Sequence, residues 1–290
     1  MKSRRTFLTQ LTRSAAVAGL LQVVGRGNPR RFDRPVGLEL YSVRRELPGH
    51  VPEVLKQVRA LGYEQVETGP MKDYSPESFR HELDSAGLTC PSFALGVDEI
   101  RTGNYEETFR WARAVGATDL MLSWLEHKSP FTYEQAVGAA AKLNDIGRKV
   151  HDAGYEFLWH PHGWEFQPWN NRKLIDYLFE KTDPKLVSFE MDVFWFVHAG
   201  GDPVTFLRRY PGRVRALHLK DLVKGGPVNI PDADVPEKDS VVLGTGMIDF
   251  PGILREAVRQ NVRYYFVEDE NENAIEQIGP DIRYLKQVEI

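Results

Sequence analysis

The chain has 290 residues, with 42% hydrophobic residues, 27% charged residues and a formal net charge of −4 at pH 7. This balance is typical of a globular domain with a sizeable apolar core, and it excludes a largely disordered chain. No concentrated basic segment follows residue 35, which argues against a nucleic-acid partner because phosphate binding needs a dense basic surface. The single cysteine, Cys90, excludes a disulfide within the chain.

The first 30 residues differ from the rest of the chain and indicate a targeting segment. Residues 3–8 follow the pattern S-R-R-x-F-L, and residues 15–24 form a weakly apolar stretch that is too short for an ordinary membrane anchor. The pattern resembles a twin-arginine export signal, although a basic terminal helix would also fit it. The resemblance implies a signal and linker over residues 1–30, a partnership with the twin-arginine export machinery, and a periplasmic or exported protein.

From residue 36 onward, short apolar runs alternate with longer amphipathic segments, which is typical of repeated strand-helix units with parallel strands. The predicted strands cover residues 36–43, 64–69, 89–95, 119–125, 155–162, 187–193, 214–221 and 264–270. The predicted helices cover residues 49–61, 75–86, 104–115, 132–153, 170–180, 202–210, 249–260 and 274–287. Glycines between a helix and the next strand, such as Gly62 and Gly87, suit the left-handed residue that ends a helix.

Eight such units predict a closed barrel, since an open doubly wound sheet usually has about five to seven strands. No G-x-G-x-x-G pattern follows the first strand, which argues against a dinucleotide-binding fold. We therefore predict an α/β fold, a single-domain (β/α)8 TIM barrel over residues 31–290. The longest segment without a helix or strand pattern, residues 224–246, follows the seventh strand and is either a lid over the substrate or a passive insertion.

Ionisable side chains gather at the carboxyl ends of the last four predicted strands. His160 and His162 end the fifth strand, Asp192 the sixth, His218 the seventh and Glu268 the eighth. Because side chains alternate along a strand, these positions aim imidazoles and carboxylates at one point in the barrel mouth. Buried charges need a partner, so the cluster predicts a divalent cation. Mixed nitrogen and oxygen ligands suit manganese, zinc, iron or cobalt better than calcium.

Several segments resemble the xylose isomerase-like TIM-barrel superfamily and, within it, the bacterial sugar phosphate isomerase/epimerase family. The resembling segments are residues 37–44, 62–67, 189–195, 209–213, 218–221, 244–250 and 265–268. In relatives a Glu, an Asp, a His and a Glu from strands five to eight hold the metal, which implies Asp192, His218 and Glu268 as ligands here. The glutamate of strand five is missing, and His160 takes its place, with His162 as its rival. The implied cofactor is one divalent ion: manganese, zinc, cobalt or magnesium.

The resemblance also implies that metal-bound glutamates exchange the substrate proton, which makes Glu268 a catalytic candidate as well as a ligand. Because a neutral imidazole can bind a metal or move a proton, His160 and His162 can divide these two tasks. His162 is then the candidate proton carrier.

Three further positions are weaker candidates for the site. Lys220 lies on the strand face of His218 and can either neutralise a developing enolate or form a salt bridge to Glu190 or Glu268. Glu67, at the end of strand two, is either a second base that faces the substrate or an exposed acid. Among the neighbouring acids, Asp221 and Glu165 are candidates for orienting the imidazoles.

These observations predict a divalent-metal-dependent isomerase or epimerase that removes a proton next to a carbonyl of a sugar or sugar derivative. A lyase or hydratase of 3-keto sugars or glycosides is one alternative, and a non-catalytic periplasmic sugar-binding protein is another. A metal-dependent phosphodiesterase of the endonuclease IV type would need three metals and a basic face, which the sequence does not show. The predicted partner is therefore a small carbohydrate. The oligomeric state stays open.

Overall fold

Eight parallel strands close into a barrel. The computed structural model describes residues 30–290, so the export pattern at residues 3–8 lies outside the described residues. The barrel strands are β1 (Gly37–Glu39), β2 (Gln65–Thr68), β3 (Thr89–Ala94), β4 (Asp119–Leu122), β5 (Glu156–Trp159), β6 (Ser188–Asp192), β7 (Val214–Leu219) and β8 (Tyr264–Val267). They follow one another around the barrel in chain order, and β8 pairs with β1. The predicted (β/α)8 barrel is confirmed.

Helices connect the strands and surround the barrel. They are α1 (Val51–Leu61), α2 (Pro76–Ala86), α3 (Val97–Thr102), α4 (Glu106–Val115), α5 (Tyr133–Asp152), α6 (Leu174–Lys181), α7 (Val193–His198), α8 (Pro203–Arg209), α9 (Phe250–Arg259) and α10 (Ala274–Gln287). The left-handed glycines predicted at helix ends are present, with φ of 109° at Gly62 and 72° at Gly87. Among residues 30–290, no helix combines the length and the apolar character needed to cross a bilayer.

The helices differ from the predicted elements at three places. Helices α3 and α7 lie in segments that were not predicted as helices. The helix predicted over residues 170–180 begins later, because Pro168–Trp169 and Arg172–Lys173 form a small hairpin before it. Its turn residues, Asn170 and Asn171, have φ of 46° and 59°, which is the backbone conformation that tight hairpin turns require.

The strands leading to the barrel mouth are shorter than predicted. Residues Leu40–Val43 form a 3-10 turn rather than the end of β1, and β5 ends at Trp159. His160 nevertheless keeps a strand-like position, because its backbone N–H donates to the carbonyl oxygen of Leu122 at 2.9 Å. Both candidate histidines of the fifth unit therefore begin the loop that follows the strand.

Side-chain alternation along the strands positions the site. Inside the barrel, a small apolar cluster is formed by Met121, Leu158, Ala216, Tyr264 and Phe266. Neighbouring residues such as Leu217 and Val267 point outward into the larger core shared with the helices. His160, His218 and Glu268 each follow an inward residue by two positions, so they lie on top of the barrel core.

The segment over residues 224–246 has more structure than predicted. Ser240–Val241 pairs with Asp221–Leu222 in an antiparallel ribbon. The carboxylate of Asp221 accepts hydrogen bonds from the backbone N–H groups of Gly244 and Gly246 at 2.9 Å each and of Ile248 at 3.1 Å. Asp221 thus anchors this segment and does not orient an imidazole, which corrects the expected role.

Candidate metal centre

Four side chains from β5 to β8 and their loops meet in the barrel mouth. His160, Asp192, His218 and Glu268 each offer one nitrogen or oxygen atom, and these atoms lie within 4.8 Å of one another. Their exposures range from 0 to 8%. Asp192 and His218 are direct partners in the ladder between β6 and β7. The structure therefore brings together the four predicted ligands, with His160 rather than His162 in the cluster.

Two buried glutamates contact the imidazoles of this cluster. Glu190 Oε2 lies 3.1 Å from His160 Nδ1 and 3.1 Å from His218 Nε2. Glu67 Oε1 lies 2.8 Å from the same nitrogen of His218. These contacts leave His160 Nε2 for a metal ion. The other nitrogen of His218, Nδ1, lies 3.0 Å from Glu268 Oε2, which is itself a member of the cluster. Carboxylates in such positions fix the imidazole tautomer and raise its strength as a ligand.

Asp192 shows that the cluster fits a cation. Its Oδ1 accepts hydrogen bonds from the backbone N–H groups of Phe194 at 2.8 Å and Trp195 at 3.2 Å, and so caps α7. Its Oδ2 is buried and has no hydrogen-bond partner among the described residues. The Lys220 ammonium lies 3.6 Å away, which is an ion-pair distance but not a hydrogen bond. A buried carboxylate oxygen without a hydrogen bond is costly, and a cation shared with the other three candidate ligands would satisfy it. Two imidazoles and two carboxylates suit a divalent transition metal.

Lys220 is buried beside the ligand carboxylates, with 1% of its surface exposed. Its Nζ lies 3.1 Å from Glu270 Oε1, 3.5 Å from Glu268 Oε2 and 3.6 Å from Asp192 Oδ2. Burial lowers the pKa of Lys220, but the carboxylates of Glu268 and Glu270 raise it more strongly, so the pKa lies above its ordinary value. The salt bridge to Glu268 was one of the two expectations for this residue.

Burial and neighbouring charges set the protonation of the ligands. Burial lowers the pKa of His160 well below its ordinary value, and His218 lowers it further, so His160 is neutral at pH 7. Burial also lowers the pKa of His218, but the carboxylates of Glu190 and Glu268 raise it more strongly, to well above its ordinary value. Burial raises the pKa of Asp192 to about 7, although Lys220 lowers it. Metal binding must therefore compete with protons at His218 and Asp192.

A cavity of about 420 Å³ lies over the cluster, a volume typical of a small-molecule site. Its ionisable lining residues are Glu39, His160, His162, His218, Glu268 and Glu270, and its aromatic lining residues are Tyr41 and Trp124. In the part of the chain that the structure describes, no lysine, no arginine and no residue of the 224–246 segment lines this cavity. A lid would cover the cavity, and the 224–246 segment does not do so.

His162 lies next to the ligand cluster and faces the cavity. Its ring centre is 4.8 Å from that of His160 and 5.1 Å from that of Trp164. Burial lowers the pKa of His162 to about 3, so the imidazole is neutral at pH 7. His162 is therefore placed where a substrate would meet an uncharged nitrogen base.

Glu67 does not lie where the sequence suggested. Its side chain is fully buried, contacts His218 and is absent from the lining of the cavity. It pairs in register with Glu39 of β1, which places both carboxylates under the imidazole of His218. This position suits a residue that orients an imidazole, rather than a base that faces the substrate or an exposed acid.

Three residues at the site were not predicted to act there. Glu190 lies two positions before Asp192, so strand alternation alone would direct it inward, but its contacts with two histidines depend on the barrel register. Glu39 lies on β1 and Glu270 follows β8, and both line the cavity. No local pattern distinguishes them from ordinary acids at strand ends.

Glu165 is a buried acid beside His162, and its burial can be tested through the pH dependence of protein stability. It is 5% exposed, its Oε2 accepts a hydrogen bond from the backbone N–H of His162 at 3.1 Å, and burial raises its pKa to about 7. A carboxyl pKa raised by folding stabilises the protein below the unfolded-state pKa, and this contribution is lost as the pH rises through 7. The neutral Glu165→Gln variant should therefore gain stability relative to the wild type, by about 2 to 3 kcal/mol, between pH 5 and pH 9.

Urea unfolding at pH 5, 7 and 9 measures this difference. The exposed Glu64→Gln change is the control, and its effect should stay within about 0.5 kcal/mol at each pH. A constant difference between Glu165→Gln and the wild type across this range would show that Glu165 is not a buried acid of raised pKa.

Three comparisons place the chain among known proteins. Residues 55–288 match the profile described as xylose isomerase-like TIM barrel. Inosose dehydratase from Clostridium beijerinckii is 31% identical over 252 residues, which cover 77% of this chain and 83% of that protein. A sugar phosphate isomerase/epimerase from Parabacteroides distasonis superimposes with a TM-score of 0.74 at 21% identity, covering 88% of this chain and 99% of that one. The IolI protein, solved with a bound zinc atom, has a TM-score of 0.66 at 13% identity, covering 86% and 95%.

Proposed function

The chain belongs to the xylose isomerase-like TIM barrel family, and on that premise we propose that it is a divalent-metal-dependent lyase. Its substrate is an unphosphorylated keto sugar or a similar polyhydroxylated ketone, from which it removes water. One observation carries this choice: the fifth unit contributes His160 to the cluster of candidate ligands, where the resembling epimerases have a glutamate. The names of the curated relatives, inosose dehydratases, support the same reaction class.

The proposed ligands are His160, Asp192, His218 and Glu268. When bound there, a divalent ion supplies Lewis acidity that polarises a substrate carbonyl and stabilises negative charge on its oxygen. Zinc and manganese are the proposed ions, because the donor set mixes imidazole and carboxylate. The side chains of Glu190 and Glu67 hold the two imidazoles in orientation from below.

We assign the proton transfer to His162. Its neutral imidazole takes the proton from the carbon next to the carbonyl, and the C–O bond of the neighbouring hydroxyl then breaks. The departing hydroxide takes the same proton from the imidazolium and leaves as water, so His162 returns to its neutral form. A single base on one face of the substrate is sufficient for this elimination.

Epimerisation requires a different arrangement of bases from this elimination. It needs proton exchange on both faces of the same carbon, which the resembling epimerases perform with two metal-bound glutamates. Among the described residues, Glu268 is the one glutamate in the cluster of proposed ligands. An isomerase or epimerase is the second candidate, since Glu268 and His162 both line the cavity and could act as a pair.

The residues that line the cavity support the proposal that the substrate is uncharged. Phosphate sites in proteins usually contain arginine, lysine or a helix amino terminus. Of the described residues, none that lines this cavity is a lysine or an arginine, and Glu270 adds a carboxylate. The twin-arginine-like pattern at residues 3–8 supports the proposal that the enzyme acts after export, where unphosphorylated sugars and glycosides are the available substrates.

The reaction is tested by incubating the metal-loaded protein with inososes, 3-keto sugars and 3-keto glycosides in deuterated water. We expect an unsaturated ketone, detected by its olefinic NMR signals and near-ultraviolet absorption, and its loss in the His162→Gln variant but not in the exposed His151→Gln control. Deuterium that enters the substrate carbon without any elimination product would favour the isomerase. No reaction with any substrate would favour a binding protein.

A further inference from the structure

We call the cavity over the candidate ligand cluster the metal cavity. A second cavity lies beside it, and the proposed lyase reaction gives this second cavity no role. It has a volume of about 470 Å³ and lies between the loops that follow β1 and β2. Glu39, Tyr41 and Gly69 line both cavities. The two cavities are therefore adjacent, and these three residues lie between them. We call the second compartment the side pocket.

The lining of the side pocket is mostly apolar. Its apolar side chains include Leu40, Leu47, Val51, Met71 and Tyr74. Its ionisable residues also include two acids, Glu39 and Asp73, and two bases, Arg44 and Lys72. The apolar majority of the lining suits the side pocket to an uncharged apolar group.

Arg44 is already engaged by the protein. Its Nη2 donates to Glu237 Oε1 at 3.0 Å, and its Nη1 donates to the backbone carbonyl of Tyr41 at 3.0 Å. Its guanidinium carbon lies 4.3 Å from the ring centre of Tyr41. Glu237 also accepts hydrogen bonds from Arg45 Nη2 at 2.7 and 2.8 Å, so two guanidinium groups share its charge. The guanidinium of Arg44 packs against the tyrosine ring and helps to position it.

Tyr41 lies at the boundary between the two compartments. It is 50% exposed, although most large apolar side chains of this barrel are buried. An exposed aromatic ring in a fixed position offers a flat surface for stacking against the ring of a ligand. The boundary is therefore shaped for a molecule with one part on each side of Tyr41.

We propose that the side pocket binds the apolar aglycone of a glycoside whose sugar ring lies in the metal cavity. The inference rests on the proposed function, since it assigns the sugar to the metal cavity. A cavity of about 420 Å³ is sufficient for a small ligand, so the side pocket adds room for a second group of comparable size. The substrate class narrows from free keto sugars to keto glycosides with an uncharged, aromatic or aliphatic aglycone.

Binding tests this proposal without requiring turnover. Isothermal titration of the metal-loaded full chain compares phenyl β-D-glucoside with methyl β-D-glucoside. We expect the phenyl glucoside to bind at least about tenfold more tightly, because only its ring fills the side pocket. Met71→Trp, which fills the side pocket, should remove this preference, and Tyr41→Ala should reduce it.

The matched control is Met247→Trp, because Met247 is 42% exposed and lines neither cavity. It should keep the preference for the phenyl glucoside. Equal or undetectable binding of both glucosides, or a preference that Met71→Trp leaves unchanged, overturns the side-pocket assignment. If the preference is present but no keto substrate reacts, the lyase proposal fails and the side pocket stands. If keto sugars react but the preference is absent, the side pocket fails and the lyase stands.

Discussion

Asp192→Asn is expected to lose the divalent ion while the protein keeps its fold. The asparagine can still accept the hydrogen bonds that cap α7 through its side-chain oxygen, but it removes the charge and the buried oxygen that face the other ligands. We expect about one ion per wild-type chain and less than about a tenth of this in the variant. Elemental analysis of the purified proteins, after dialysis with and without manganese or zinc, measures the difference.

Asp202→Asn is the matched control for this experiment. Asp202 caps α8 in the same way, since its Oδ1 accepts a hydrogen bond from the N–H of Thr205 at 3.0 Å, and it lies outside the ligand cluster. It should retain the ion. A metal concentration of about 100 times the dissociation constant should stabilise the wild type by about 2.7 kcal/mol and Asp192→Asn by almost nothing. An Asp192→Asn protein with a full complement of metal would falsify the ligand assignment.

Lys220→Met is expected to destabilise the metal-free protein by about 3 to 5 kcal/mol, since it removes the cation from a buried group of carboxylates. Glu268, Glu270 and Asp192 would then repel one another without the ammonium group that lies 3.1 to 3.6 Å from them. A bound divalent ion compensates for two of these carboxylates, so the loss should be smaller in the metal-loaded protein. Urea unfolding with a chelator and with saturating metal separates the two cases.

Two further variants make this result specific. Lys56→Met changes an exposed lysine of α1 and should alter the unfolding free energy by less than about 0.5 kcal/mol. Lys220→Met combined with Glu270→Gln removes one of the repelling charges and should recover part of the loss. If Lys220→Met unfolds at the same urea concentration as the wild type, the lysine does not stabilise the acidic cluster.

The two experiments also divide the roles of the charged residues at the site. The Asp192→Asn experiment tests whether Asp192 binds the metal ion. The Lys220→Met experiment tests whether the ammonium group neutralises the nearby carboxylates. A lysine that mainly balances charge should lose its importance for stability when the ion is present. A lysine that also stabilises negative charge on the substrate would remain essential for turnover under those conditions.

Much of the fold and the cluster of candidate ligands could be predicted from the sequence, because both depend on short-range patterns. The repeat of apolar and amphipathic segments indicated eight strand-helix units, and the two-residue alternation directed His218 and Glu268 into the barrel mouth. The ends of the elements were predicted less well. Asp192 shows the reason, since the same carboxylate that was expected to end a strand also caps α7 directly after it.

The arrangement of the site depended on barrel closure and register, which relate residues far apart in the chain. Glu67 and His218 are 151 positions apart, and only the closed barrel places them 2.8 Å from each other. In the same way, the tertiary structure placed Glu190 between two imidazoles and His160 rather than His162 in the ligand cluster. It also placed the side pocket next to the metal cavity. Local periodicity determines which way a side chain points, whereas its partners are decided by the packing of distant strands.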